Sequence, residues 1–252
     1  MQLDNTAAIV TGGASGLGAA TANALAGKGA LVYALDLEAA LGKAPDVERV
    51  TYIAADVTEP DDIRNALAAT TEIGAPLRTV VSCAGIGPSA RILGKKGVHD
   101  LALYAAVVRV NLVGTFNVLA LAAEHIARTE PDENGQRGVI VNTASIAAYD
   151  GQVGQAAYSS SKGGIVGLTL PAARDLAQYG IRVCAIAPGI VDTPMLATVS
   201  DEFRAGLAAG VPFPQRLARP EEYASLALTI IDHDYLNGEV IRMDGALRMA
   251  PR

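Results

Sequence analysis

Seven short, almost wholly apolar runs alternate with longer segments of helical periodicity along this chain. The runs fall at residues 7–11, 31–35, 50–54, 79–83, 139–143, 182–187 and 239–243; the helical segments fall at 17–27, 61–73, 101–127, 157–178 and 221–232. Runs with so little period-two alternation are covered on both faces, as the strands of a parallel sheet are. The alternation predicts an α/β chain with a doubly wound, seven-stranded, mostly parallel sheet and helices on both faces. At 252 residues, half of them hydrophobic, one such sheet accommodates the whole chain. Residues 1–252 therefore read as a single domain without repeat or linker. Thr58 followed by Asp61 resembles a capping box for the segment at 61–73. Gly180 reads as a C-terminal helix stop. Residues 193–220 carry four prolines and read as a long functional loop, a substrate lid.

The stretch IVTGGASGLG, residues 9–18, ends the first run and opens the first helix. Gly12, Gly16 and Gly18 permit a tight turn and close approach of backbone to a phosphate, which the helix N-terminus attracts through unpaired N–H groups. The spacing is G-x-x-x-G-x-G, and a purely structural strand–helix turn would use the same glycines. Asp36, 18 residues after Gly18 at the end of the second run, stands where a carboxylate meets an adenosine ribose. This pattern points to a Rossmann-type dinucleotide site. A carboxylate there would repel a 2′-phosphate, no Arg or Lys stands in the turn, and Ser15 occupies a facing position. The expected cofactor is NAD rather than NADP.

In AAYSSSKGG, residues 156–164, Tyr158 and Lys162 are four apart and share one helix face, with small residues around them. An unperturbed phenol is a poor base at neutral pH, and a neighbouring ammonium favours the phenolate. The expectation is that Lys162 lowers the pKa of Tyr158, which then exchanges a proton with an alcohol as hydride leaves the same carbon. Taken alone, the spacing equally describes an ordinary helix pair. Ser145 follows the fifth run. Ligands of open parallel sheets bind at the carboxyl ends of strands, where the glycine turn, Cys83, Ala84, Gly85, Ser145, Pro188 and Gly189 all fall.

The remaining features narrow the function by exclusion. Net charge is −6 and no basic run exceeds Lys95-Lys96, so nucleic acid is not the expected main partner. The apolar stretch around 105–123 contains Arg109 and Asn111 and reads as a buried helix, not a membrane span. Three scattered histidines and two cysteines offer no metal site and no disulfide framework. The N-terminal residues show no basic flank or cleavage site, so a cytoplasmic setting is expected.

TGGASGLG, Asp56-Val57, CAG at 83–85, Asn111, Ser145, YSSSK and PGIVDTP together resemble the short-chain dehydrogenase/reductase family over essentially the whole chain. Within that family, the long stretches at 130–177 and from PFPQRL to NGEVIRMDGALRM resemble the 3-hydroxyacyl-CoA dehydrogenase type 2 group, also called 17-beta-hydroxysteroid dehydrogenase type 10. The resemblance implies an NAD-dependent oxidoreductase acting on a secondary alcohol or ketone, either a short-chain 3-hydroxyacyl-CoA or a steroid-like alcohol. An NAD-binding sensor or scaffold is the reading from another class. The resemblance also implies residue roles. Tyr158 is the general acid/base, Lys162 lowers its pKa and holds the nicotinamide ribose, and Ser145 bonds the reacting oxygen. Asn111 supports a water chain to Lys162. Ser15, Leu17, Asp36, Asp56, Val57, Cys83, Val191 and Thr193 line the NAD site, with Asp56 near adenine and Thr193 near the carboxamide. Ser82 stands where the broad family carries Asn, which puts the sheet-bracing role of that position in doubt. Pro171 falls inside the catalytic helix, where a kink is expected. Gln152 and Gln155 are substrate candidates beside the tyrosine, and Arg91, Lys95 and Lys96 are candidates for coenzyme A phosphates. The apolar lid residues Met195, Leu196, Phe203 and Leu207 suit either an acyl chain or a helix packed on the core. The resemblance further implies a homotetramer built on the helices at 101–127 and 157–178, with Gly163, Gly164, Gly167 and Ala173 allowing close approach.

Overall fold

The computed structural model describes residues 1–72, 74–95, 97–196 and 200–251. Seven strands form one sheet: β1 (Ala7–Thr11), β2 (Leu31–Asp36), β3 (Val50–Ala54), β4 (Leu77–Ser82), β5 (Gly138–Thr143), β6 (Ile181–Pro188) and β7 (Val240–Met243). Their spatial order is β3-β2-β1-β4-β5-β6-β7, and every pairing is parallel. The chain direction across the sheet reverses between β1 and β4, which leaves a crevice at their carboxyl ends.

Helices α1 (Gly16–Ala26), α2 (Pro60–Glu72), α4 (Ala156–Leu176) and α6 (Pro220–Asp232) are continuous, and Pro171 does not interrupt α4. Between α2 and α4 runs α3 (Leu101–Ala127), and a lid helix α5 (Asp201–Ala209) precedes α6. Period-two splitting of each strand feeds two cores. Ile9, Leu35, Val80, Ile140 and Val183 pack with Ile63, Val118, Ile126 and Ala172 on one face. Val10, Val32, Val81, Val141 and Ile186 pack with Leu25, Tyr223 and Ile230 on the other. This double coverage is why the strands read as unbroken apolar runs.

Helix α3 is not uniform. Its residues Arg109–Gly114 form a π-helical turn that buries Asn111 and Gly114. Gly114 is required there, since a Cβ would stand 2.7 Å from Val57 Cγ2. By length and composition α3 could cross a membrane. It packs on the sheet through Val118, Ala122 and Ile126, while Leu101, Val113 and Phe116 are exposed. The capping box expected from Thr58 and Asp61 does not form. The helix starts at Pro60, Thr58 donates twice to Asp56 Oδ1, and Asp61 pairs outward with Arg64. Because the helix begins at Pro60, Thr58 stands one residue outside the N-cap position and bonds back to Asp56 instead. Gly180 does end the α4 segment, with φ of +67° after a short 3₁₀ turn. The lid segment contributes α5, none of whose residues is buried, so its apolar side chains do not pack on the core.

Among the helical glycines, Gly18 tolerates a side chain least. A Cβ there would lie 2.1 Å from the Gly12 carbonyl oxygen. Gly18→Ala should cost about 1–3 kcal/mol through overpacking against backbone. Gly206→Ala, in α5 with open space around its Cβ, should leave stability unchanged or raise it. Thermal unfolding midpoints of the two variants check this, with a drop of roughly 2–4 °C per kcal/mol expected for Gly18→Ala alone.

Candidate active site

The carboxyl ends of β1, β2, β4, β5 and β6 converge on one edge. At β1, Gly12 has φ of +67° and lies against the backbone of Ala84, whose amide donates to Thr11 Oγ1. Gly13 packs on Ala34. Ser15 is the exposed N-cap of α1, and its hydroxyl makes no capping bond. An uncapped helix start at the end of a strand offers first-turn N–H groups to an anion. Leu17 in that turn is half-buried. Gly16, with φ of +53°, faces Thr193, whose Cβ would be 3.4 Å from a side chain there. The start of the lid thus touches the glycine turn.

At β2, the Asp36 carboxylate accepts from Ala14 N–H at 3.0 Å and Leu37 N–H at 2.9 Å. It tethers the turn while staying half-exposed at the crevice. Asp56 is occupied by Thr58 at one carboxylate oxygen, and Val57 turns its side chain into the core. The Val57 carbonyl accepts from Asn117 Nδ2 at 2.9 Å, which leaves the Val57 N–H and the second Asp56 oxygen for a ligand among the described residues. Cys83 points its sulfur toward Thr143 Oγ1 at 3.7 Å and Tyr223 OH at 3.8 Å, and burial pushes its thiol pKa up. Gly85 has no side chain where Asn111 Oδ1 and Lys162 Nζ approach from the helical side. Gly189 packs on Asp244, and Val191 is buried in a bridge to Ala218.

The reactive group sits at the end of β5. Lys162, buried in α4, donates to the Thr143 carbonyl at 2.8 Å. Burial lowers its pKa from 10.5 to about 8. Its nitrogen lies 5.8 Å from the centroid of the Tyr158 ring. Burial also raises the Tyr158 pKa above its ordinary value, while the nearby Ser145 hydroxyl pulls it down. The expected lowering by Lys162 is therefore not found: desolvation of the phenolate dominates, and Ser145 rather than Lys162 is the group that opposes it. Ser145 caps a 3₁₀ turn by accepting from Ala147 N–H at 3.1 Å.

Asn111 is wholly buried, and its side chain is engaged with protein. Oδ1 accepts from Ile86 N–H at 2.8 Å, and Nδ2 donates to Ile86 O at 2.9 Å and Ser161 Oγ at 3.1 Å. It braces the loop after β4. Gln152 donates to the Ala250 carbonyl, and Gln155 Oε1 accepts from Gln152 N–H. Gln152 holds the C-terminal tail and Gln155 holds the loop, which leaves Gln152 Oε1 and the Gln155 amino group uncommitted among the described residues. Met195 and Phe203 are exposed on the lid; Arg91, before a pair of short strands at 93–94 and 97–98, and Lys95 between them are exposed too, and Lys96 lies outside the described residues. Sequence reasoning missed Thr143 and Tyr223. The Tyr223 hydroxyl lies 2.7 Å from Thr143 Oγ1, which donates to Ser82 O at 2.6 Å. Thr143 at a strand end two residues before Ser145 was the available signal; Tyr223, inside an apolar helix, offered none.

A family model described as short chain dehydrogenase matches residues 6–203. The chain is 52% identical to the 3-hydroxyacyl-CoA dehydrogenase type-2 of Bos taurus, over 97% of this chain and 95% of that protein. It is 49% identical to the Drosophila melanogaster protein of the same name, over 99% and 100%. The crystal structure of 3-hydroxyacyl-CoA dehydrogenase type-2 from Mycobacterium avium matches with TM-score 0.94 at 43% identity, covering 100% of this chain and 99% of that one.

Buried Lys162 gives the fold a pH signature. The unfolded lysine keeps its proton up to 10.5, whereas the folded one releases it near 8. Between those values the unfolded state binds more protons, so stability rises with pH, by up to about 3 kcal/mol. Lys162→Met, which removes the ammonium, should flatten that rise relative to wild type. Urea unfolding across the window tests this, and parallel profiles for the two proteins would contradict it.

Proposed function

The chain belongs to the short-chain dehydrogenase family and is an oxidoreductase, and on that footing we propose that it oxidises short-chain 3-hydroxyacyl-CoA thioesters to 3-ketoacyl-CoA with NAD. The observation that carries the reading is Ser145, Tyr158 and a buried Lys162 gathered at one strand end, beside a glycine turn tethered by Asp36. The names of relatives near half identity support the substrate class.

The residues fit a dinucleotide. Gly12 and Gly18 leave the turn bare, the Ser15 hydroxyl is uncapped, and Asp36 stands half-exposed beyond. Ser15, Gly16 and Leu17 would hold the pyrophosphate, Asp36 the adenosine ribose, Val57 and Asp56 the adenine side, and Pro188, Gly189, Val191 and Thr193 the nicotinamide side. When bound, NAD supplies the carbon that accepts hydride. Ser145 bonds the substrate oxygen, and Tyr158 removes its proton. Lys162 stays protonated below about pH 8 and stabilises the phenolate as it forms. Exposed Arg91 and Lys95 suit the phosphates of coenzyme A.

We further propose a homotetramer. An apolar groove of about 570 Å³ lies between α3 and α4, lined by Phe116, Ala120, Leu168 and Pro171. Gly163 and Gly167 have open space where side chains would be, which suits close approach of a partner helix. Gly164 and Ala173 serve packing within the chain instead, against Leu112 and in the sheet core. A cytoplasmic setting is supported by two cysteines that remain thiols, Cys83 and Cys184.

Two measurements test the reading. NADH absorbance with acetoacetyl-CoA, ketosteroids and simple ketones should show the highest kcat/KM for the thioester. Activity on ketones with none on any CoA ester removes the substrate assignment and leaves the oxidoreductase. Asp36→Ala should raise the KM for NAD and narrow its advantage over NADP, and an unchanged preference removes the role given to Asp36.

A further inference from the structure

Gly87 lies between the catalytic phenol and the lid. A Cβ at this position would stand 3.5 Å from Met195 Sδ and 3.7 Å from Tyr158 Cε2. Both are ordinary van der Waals distances, so an alanine fits. Nor does the backbone demand glycine, since Gly87 is not one of the glycines with left-handed φ. The missing side chain therefore leaves a slot, open to solvent and bounded by the Tyr158 ring edge and the Met195 thioether. Its floor is fixed. The N–H and the carbonyl of Ile86 are both bonded to buried Asn111, and Ala90 N–H donates to the Gly154 carbonyl at 2.9 Å. Hydrogen bonds on both sides of Gly87 thus hold its backbone in place.

Cε2 adjoins the ring carbon that bears the phenol oxygen. The slot is therefore next to the carbon whose oxygen exchanges its proton with Tyr158. We propose that Gly87, facing Met195, is a specificity-determining residue: its missing side chain, with the Met195 thioether opposite, sets how large a group fits beside the reacting carbon. The proposal rests on Tyr158 as the proton-transfer group. It does not depend on the acyl carrier.

The test compares Gly87→Ala and Gly87→Val with wild type in NADH-dependent reduction of a straight ketone and its isomer branched next to the carbonyl. The pair is used as plain ketones and as CoA thioesters, and NADH affinity is followed by fluorescence. The ratio of kcat/KM for straight over branched substrate should widen modestly with alanine and by roughly 10- to 200-fold with valine, the range for added methyl groups in a fitted pocket. Met195→Ala added to Gly87→Val should narrow the ratio again, and NADH affinity should be equal in all variants. A ratio unmoved by valine overturns the proposal. So does an equal loss on both substrates, which would mean that Tyr158 had been displaced. Tyr158→Phe assayed alongside separates the two claims, because retained turnover there would strike the acid/base assignment itself. A selective ratio on plain ketones without thioester activity would uphold the slot and remove only the carrier.

Discussion

Lys162 reaches from α4 through the helical layer and donates to the last carbonyl of β5 at 2.8 Å. An ammonium taken out of water costs several kcal/mol unless it is bonded, and the depressed pKa of about 8 records the part of that cost which remains. The contact fixes α4 against the sheet edge and thereby sets where Tyr158, one turn earlier, projects. Ser145 leaves the same strand end two residues later. One buried charge therefore places the phenol, its hydroxyl neighbour and itself in a single frame. The carbonyl that receives the ammonium is steadied by its own side chain, since Thr143 Oγ1 donates to Ser82 O and meets the hydroxyl of Tyr223, which is buried on the opposite face of the sheet.

Asn111 supplies the second brace. A π-turn inserts an extra residue into the helical spiral, and such turns recur at functional sites. Here the turn carries Asn111 to both backbone groups of Ile86 and to Ser161, so the loop after β4, α3 and α4 are joined at one point. Gly85 completes the arrangement by giving Asn111 and Lys162 room side by side. Ser82 does not replace the bracing that its position suggests. Its hydroxyl and the amide of Asn142, its register partner on β5, are buried without hydrogen bonds among the described residues. The bracing has moved to the next residue of β5, through Thr143.

The sheet was legible because the apolar runs of its inner strands reflect burial on both faces, a property of local composition. The glycine turn was legible because close backbone approach admits no other residue at Gly18. That Tyr158 and Lys162 share one helix face followed from helical periodicity, and Ser145 with the family resemblance singled the pair out. What was not legible involves partners far apart in the chain. Gln152 meets Ala250, 98 residues away, so a residue that looked poised for substrate holds the tail. Thr58 bonds back to Asp56 rather than capping α2, because the helix begins at Pro60 and leaves Thr58 one residue outside the cap position. The pKa of Tyr158 required knowing how much water the folded chain removes from it, and spacing carries no such information.

By itself the sequence determined the alternation of strands and helices, the bare turn at the first helix and the set of groups able to move a proton and bind a dinucleotide. These follow from side-chain size, periodicity and charge, which act over a few residues. Only the tertiary structure decided how those groups are tuned and walled: the burial that holds Lys162 near pKa 8, the clamp of Asn111 on Ile86, and the empty space at Gly87 beside Tyr158. Desolvation and steric exclusion are properties of a packed volume, and no linear stretch of chain contains one.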